Sequence, residues 1–314
     1  MNDLQELKNF GAALDPADPE PPARLRHRVL SAAAAPARRR RLPRLALAGG
    51  LAAAITAGVL AAQVIGIGGH TPPASAAASE ILHSAAEEAR QQPVFEVRPE
   101  QFVYVESIGT NTNYGSPTSK PKLEKVHRTA WLSAGGERDG LVRSNNETFM
   151  IDGCQNGRQT QSKGGKSETT SCTPIPAYLA GLPTTADAML DYLYTHSSGG
   201  NPRDQQAFTT AADLIRESYV PPAALAAVFE AVARIPGVDV VGDVTDDAGR
   251  PGVAVALTEV QGMRTELIFD KKNHGFLGTR SVMVRDQDGL RKGDIWASSA
   301  VLKVAIVDRA GQTP

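Results

Sequence analysis

The chain holds only two cysteines in 314 residues, Cys154 and Cys172. It also carries no HExxH, GxSxG, P-loop or GxGxxG motif. Those absences remove the two-histidine metal helix, the nucleophile elbow and the glycine-rich nucleotide loop. No catalytic residue, cofactor-binding residue or metal ligand is expected, and nothing in the residue pattern argues for an enzyme. Excess charge is missing too: 33 Lys+Arg stand against 34 Asp+Glu, a formal net charge of -1. Binding to nucleic acid by bulk charge has no support from that balance. Locally the balance breaks down. Residues 24–44 contain eight Arg and no acid, and residues 45–79 contain no Asp, Glu, Lys or Arg.

The remainder is ordinary for a folded protein. An apolar fraction of 41% with 21% charged residues excludes wholesale disorder. At about 100–200 residues per domain, the length allows one large domain or two smaller ones.

Leu45 to Ile67 runs 23 residues without a charge. As a helix it would measure about 34 Å, against a hydrocarbon core of about 30 Å. Nine of the 23 are Leu, Ile or Val, and most of the others are Ala or Gly. At about -0.3 to -0.6 kcal/mol per strongly apolar residue, insertion is favourable by a modest margin. A buried helix in a soluble core and a cleaved signal peptide are the competitors. Buried helices are usually shorter and rarely follow an arginine cluster. Ala74-Ser75-Ala76 looks like a cleavage site, but 44 residues precede the apolar run, too many for a secretory signal. An uncleaved anchor is expected. Arg38, Arg39, Arg40, Arg41 and Arg44 abut its start, and the first charge after it is Glu80. The positive-inside rule then places residues 1–44 in the cytoplasm and the C-terminal domain outside the plasma membrane. Without interleaved aromatics, the arginine cluster makes a poor nucleic-acid patch.

Within residues 1–44, Leu4, Leu7 and Phe10 have helical spacing. Asp15–Pro22 breaks the pattern with four prolines in eight residues, and Ala23–Ala35 suggests a second short helix. Segments this short do not build a core alone. They read equally as a solvated tail or as a segment that folds on a cytoplasmic protein partner.

Residues 68–100 read as a linker followed by a juxtamembrane helix, capped by Ser79 and running to Gln92. Residues 101–314 form the expected extracytoplasmic domain. Phe102–Ser107, Val126–Leu132 and Leu141–Ser144 open an antiparallel meander. Three helices follow: Ala186–His196 behind a Thr185 cap, Gln205–Tyr219, and one begun by Pro221-Pro222. Strands return at Val238–Val244, Gly252–Leu257, Thr265–Asp270, Leu277–Val284 and Trp296–Val307. This order has no βαβ alternation. It predicts an α+β domain, a curved antiparallel sheet packed on about three helices.

Cys154 and Cys172 fall on the side where disulfides persist. Bridging them closes a polar loop of about 19 residues, contributing about 3 kcal/mol in the chain-entropy model. A metal site is the alternative, and two Cys so far apart with no nearby His make a poor ligand set. Asp246-Asp247 and Asp286–Asp288 sit beside Gly and read as solvated turn residues.

The layout resembles a group of actinobacterial single-pass membrane proteins of uncharacterised function, often encoded near extracytoplasmic-function sigma factors. The resemblance rests on Phe102–Ser107, Pro176–Pro183, Leu225–Gly237 and Gly249–Ala256. It implies a regulatory or sensing role, with a sigma factor or other regulator as partner of residues 1–44. More distantly, Glu266–Asp270 and Phe276–Met283 look like the external fold of lipoprotein carriers and periplasmic anti-sigma regulators, a half-barrel closed by helices. Zinc-containing anti-sigma factors carry a cytoplasmic His and Cys cluster, whereas residues 1–44 hold His27 and no Cys. The alternative function is an external module for a lipid or other hydrophobic ligand, with the tail serving only as anchor in the bilayer.

The orientation is directly testable. A reporter fused to the C-terminus should lie outside in intact cells, and replacing the five arginines with neutral residues should scramble that topology. A cytoplasmic reporter on the unmodified chain would overturn the orientation.

Overall fold

A computed structural model describes residues 71–113, 121–163, 166–197, 199–259 and 261–314. The tail, the arginine cluster and the 45–67 span lie outside the described residues. No described helix is long and apolar enough to cross a membrane.

Bulky residues alternating with polar ones produce long antiparallel strands, and the first two and the last organise the rest. β1 (Phe102–Asn113) and β2 (Lys122–Ser133) lead into β3 (Gly140–Ser144) and β4 (Glu147–Ile151). After the helical middle come β7 (Asp239–Thr245), β8 (Pro251–Thr258), β9 (Met263–Asp270), β10 (Phe276–Met283) and β11 (Ile295–Val307). These nine form one sheet in the order β4-β3-β2-β1-β11-β10-β9-β8-β7. Both halves are local meanders. A single long-range seam joins them, where β11 inserts between β1 and β10 and pairs Phe102 with Val307 and Asn111 with Ala297. Between β4 and the helices, β5 (Arg158–Lys163) and β6 (Lys166–Ser171) make a separate hairpin.

Four helices are described: α1 (Ala76–Arg90), α2 (Ala186–Thr195), α3 (Arg203–Arg216) and α4 (Pro222–Val232). They cover one face of the β7–β9 end of the sheet, where Val255, Leu267 and Phe269 join their apolar stripes in a single core. Phe229 of α4 meets Phe269 edge-on at 5.2 Å between ring centroids. α1, expected as a juxtamembrane helix, belongs to this core. Its alanines 78, 85, 86 and 89 are buried with Leu82, and side chains this small let it lie against α4 at close range.

The helix ends differ in part from the sequence expectation. The cap of α1 is Ser75, whose Oγ accepts from the Ala78 N–H at 3.2 Å, while Ser79 lies inside the helix and donates to the Ala233 carbonyl. This gives Ala74-Ser75-Ala76 a structural role as a helix start. Thr185 precedes α2 as expected, but its side chain makes no capping bond. α3 ends at Arg216, because Tyr219 is drawn into main-chain pairing with Tyr178 and Pro221-Pro222 disfavours helix before it.

The opposite face of the sheet is closed by the chain itself. Phe102, Tyr104, Trp131 and Val307 cluster there, and the Trp131 indole N–H donates to the Gln312 carbonyl at 2.6 Å. Asp247, in the β7–β8 turn, accepts from Thr110 of β1 at 3.0 Å and from Lys125 of β2 at 2.9 Å. Five inter-strand steps separate β7 from β1, about 24 Å if the sheet were flat. Twist and curl of the sheet bring them together. Asp246 and Asp247 are therefore not solvated turn residues. The Asp246 side chain is 1% exposed and holds Arg250, while Asp247 anchors the turn. Glu266, fully buried, sits between Arg264 and Arg280, which each donate to one of its oxygens.

Truncating Phe269 to Ala removes the ring at the centre of the helix–sheet contact and should cost about 3–5 kcal/mol in urea unfolding. Met150→Ala, at an exposed position of β4, should change stability by less than about 0.5 kcal/mol.

Candidate functional site

One cross-strand row shows how the helix face is divided. Val240, Val255, Leu267, Thr279, Ser299, Gly109 and Val126 lie side by side across β7, β8, β9, β10, β11, β1 and β2. The first three pack against the helices. From Thr279 to Gly109 the row turns to hydroxyl and small side chains, and the helices stop. What lies beyond is a cleft of about 280 Å³, floored by Ser107, Asn111, Thr279, Ser281 and Ser299 and walled by Arg128 and Glu217. Gly109 is required in this floor, because a Cβ there would stand 2.0 Å from the Ser298 carbonyl oxygen.

The wall is held from several sides. Arg128 of β2 donates from Nε and Nη2 to the two carboxylate oxygens of Glu217 at 2.5 and 3.1 Å. Two residues on, the Tyr219 N–H donates to the Ala177 carbonyl at 2.8 Å, and the Tyr219 carbonyl accepts from the Leu179 N–H at 3.0 Å. The Tyr219 hydroxyl accepts from the Phe95 N–H at 2.8 Å, and its ring stacks on Tyr178. Burial pushes the Tyr219 hydroxyl pKa above its ordinary value, and the bond from Phe95 offsets part of the rise. The segment from Glu217 to Val220 thus forms a fixed rail across the sheet.

Two further clefts flank the rail. One, of about 240 Å³, is apolar, with Phe95, Ile215, Leu225, Phe276, Val301 and Val304 in its lining. The other, of about 290 Å³, lies beside the disulfide and includes Leu132, Ile151, Ile175 and Pro176. Cys154 and Cys172 are bonded, with Cα atoms 5.9 Å apart, inside the limit of about 7 Å. They tie the β5–β6 hairpin to the end of β4. The topology arginines Arg38–Arg41 and Arg44 lie outside the described residues.

Sequence reasoning found the cysteine pair but missed the rail and the polar floor. Tyr219 carried helical spacing with Ile215, which hid its role in the rail. The hydroxyls of β10 and β11 carried no signal of their own in the strand pattern. The detectable signal was the change from Leu267 to Thr279 at equivalent positions of adjacent strands.

No family model matches the chain, and no curated protein matches it. Among solved structures, the chain is similar to the MucA/MucB complex of Pseudomonas aeruginosa at 14% identity, covering 76% of this chain and 59% of that one, with a TM-score of 0.26. A LolA superfamily protein from Nitrosomonas europaea matches at 9% identity over 76% of this chain and 94% of that one, TM-score 0.22. An uncharacterized conserved protein from Thermus thermophilus matches at 9% identity over 74% and 90%, TM-score 0.27. The likeness is distant and concerns the fold. The chain spans less than two thirds of the MucB chain it matches.

Asp247 supplies a test of the link between the β7–β8 turn and β1–β2. Burial raises its pKa, but hydrogen bonds from Ser298, Lys125 and Thr110 outweigh burial and bring it below the ordinary carboxylate value. A depressed folded pKa stabilises the fold above the unfolded value of about 3.9, and that contribution is lost as pH falls through the folded value. Thermal melts below about pH 4 should show this loss in the native chain and a shallower acid dependence in Asp247→Asn. Equal slopes would remove Asp247 as its source.

Proposed function

We propose that the chain is a membrane-anchored envelope regulator whose C-terminal domain senses a ligand on the open part of its helix face. The observation that carries this reading is the helix face itself: covered and apolar at one end, uncovered and polar at the other, with a fixed rail between. Clefts bounded by rigid elements suit ligand binding. The Cys154–Cys172 bond suits an oxidising compartment, which agrees with the orientation drawn from Arg38–Arg41 and Arg44. On this reading residues 1–44 engage a cytoplasmic regulator, and the resemblance to proteins encoded near sigma factors makes a sigma factor the first candidate. Ligand occupancy at the rail would be relayed through the anchor.

A second reading is supported by the apolar cleft beside Phe95 and Tyr219, which would accept a short hydrophobic group with the tail acting only as tether. Its volume of about 240 Å³ falls below the range of about 300–1,000 Å³ usual for drug-sized ligands, so a whole lipid would not be enclosed.

The two readings separate by affinity capture with the full-length chain and with a chain lacking residues 1–44. A sigma factor or other transcription protein should be enriched by the first and absent from the second. Identical captures would overturn the regulator and leave the tether.

A further inference from the structure

We infer that the outer edge of β4 is a dimer interface, where a second copy of this chain adds its own β4 antiparallel and continues the sheet across a two-fold axis. The inference stands apart from the ligand surface and the cytoplasmic partner proposed above. A sheet edge presents unpaired N–H and C=O groups, and native proteins blunt it with charge, proline, a bulge or a covering element. The two edges of this sheet differ in that respect. β7 carries Asp239 and Asp243, breaks register between Val240 and Gly242, and has α1 packed beside it. Of those devices β4 has only a charge at its first residue, Glu147. Its register with β3 is unbroken, and Phe149, Met150 and Ile151 are 40, 56 and 41% exposed in succession. Among the described residues β3 is the only strand paired with it.

The direction of the main chain fixes what a partner strand would meet. The Asn145 N–H donates to the His127 carbonyl of β2 at 2.9 Å. Along β3 the odd-numbered residues therefore bond to β2 and the even-numbered ones to β4. Glu147, Phe149 and Ile151, opposite Ser144, Val142 and Gly140, turn their main-chain groups inward to β3. Those of Thr148 and Met150 point outward. An antiparallel second copy centred on Met150 uses both. Met150 pairs with the second copy's Met150, and Phe149 falls directly opposite the second copy's Ile151, twice by symmetry. Aromatic and β-branched residues in such positions stabilise a sheet. One patch thus matches itself, as a two-fold contact requires, and needs no foreign sequence to complete it. Charge agrees with this register. Glu147 falls opposite Gly153, so no two like charges meet. Asp152 of the second copy enters the row of Thr148 and Arg143, where Arg143 lies over the Trp131 ring and forms no ion pair among the described residues.

The test is sedimentation velocity of the full-length chain in density-matched detergent, over about 1 to 100 μM, the range of a small and weak specific interface. The native chain should pass from monomer to dimer within it. Met150→Lys sets two like charges opposite each other on the axis and should weaken dimerisation about tenfold or more. Its melting temperature in dilute solution should stay unchanged, because the position is exposed. Met150→Pro removes the outward N–H without touching a bond to β3 and should weaken dimerisation in the same direction. A chain that is monomeric throughout overturns the proposal. So does a dimer equally strong in the native chain and both variants, which would place the contact elsewhere, for example in the 45–67 span. Native mass spectrometry that finds a different protein on β4, released by Met150→Lys, overturns the second copy as occupant.

Discussion

Everything in this domain hangs on the pairing of β11 with β1. The two strands are almost two hundred residues apart in the chain, yet they share a register from Phe102–Val307 to Asn111–Ala297. Without that seam the molecule is two separate meanders, β1–β4 and β7–β10, each with an unpaired inner edge. With it, the Thr279–Ser299–Gly109 row becomes continuous, and a floor assembled from both halves of the chain can exist. The seam also brings Val301 and Val304 beneath the rail at Tyr219. Loop-closure entropy makes such long-range pairing slow to form.

The division of the helix face follows from where the helices run out of apolar sheet to cover. Val255, Leu267 and Phe269 offer large side chains to Phe229 and its neighbours. The next strand offers Thr279 and Ser281, which gain nothing from burial against an apolar helix and lose their water. The sheet continues for five more strands past β9, through β10, β11, β1, β2 and β3, before reaching edge strand β4. The rail, held by Tyr219 and by the Arg128–Glu217 pair, reaches across it, and Phe95, Val97, Ala177 and Tyr178 pack beside it against Val103 and Val105. An open polar surface next to a packed apolar one is therefore a direct result of composition changing from strand to strand.

Strong periodicity made much of this legible in advance. β1, β2 and β7 to β11 were marked by alternation and by Gly and Asp turns, and α4 by Pro222 and its apolar stripe. The parts that escaped notice lacked such a pattern. β5 and β6 are RQTQSK and KSETTS, with no apolar residue to alternate, so they read as a polar loop between the cysteines. β4 carries Phe149, Met150 and Ile151 in succession, all exposed, which matches neither period. Asp246 and Asp247 had the composition of a solvent-facing turn. The anchoring of Asp247 depends on a strand five positions along the sheet, a relation no local window contains. The cleft floor is hidden for the same reason, since its residues lie far apart in sequence and meet only across strands.

The central position of β11 also sets the order in which the domain can be made. A chain emerging from the ribosome displays β1 to β10 and all four helices before residues 295–307 exist. Until then both inner edges stand open, each able to pair with a strand from another copy. Assembly of this domain thus waits for β11, and the nascent chain depends on being kept apart from its neighbours until that strand arrives.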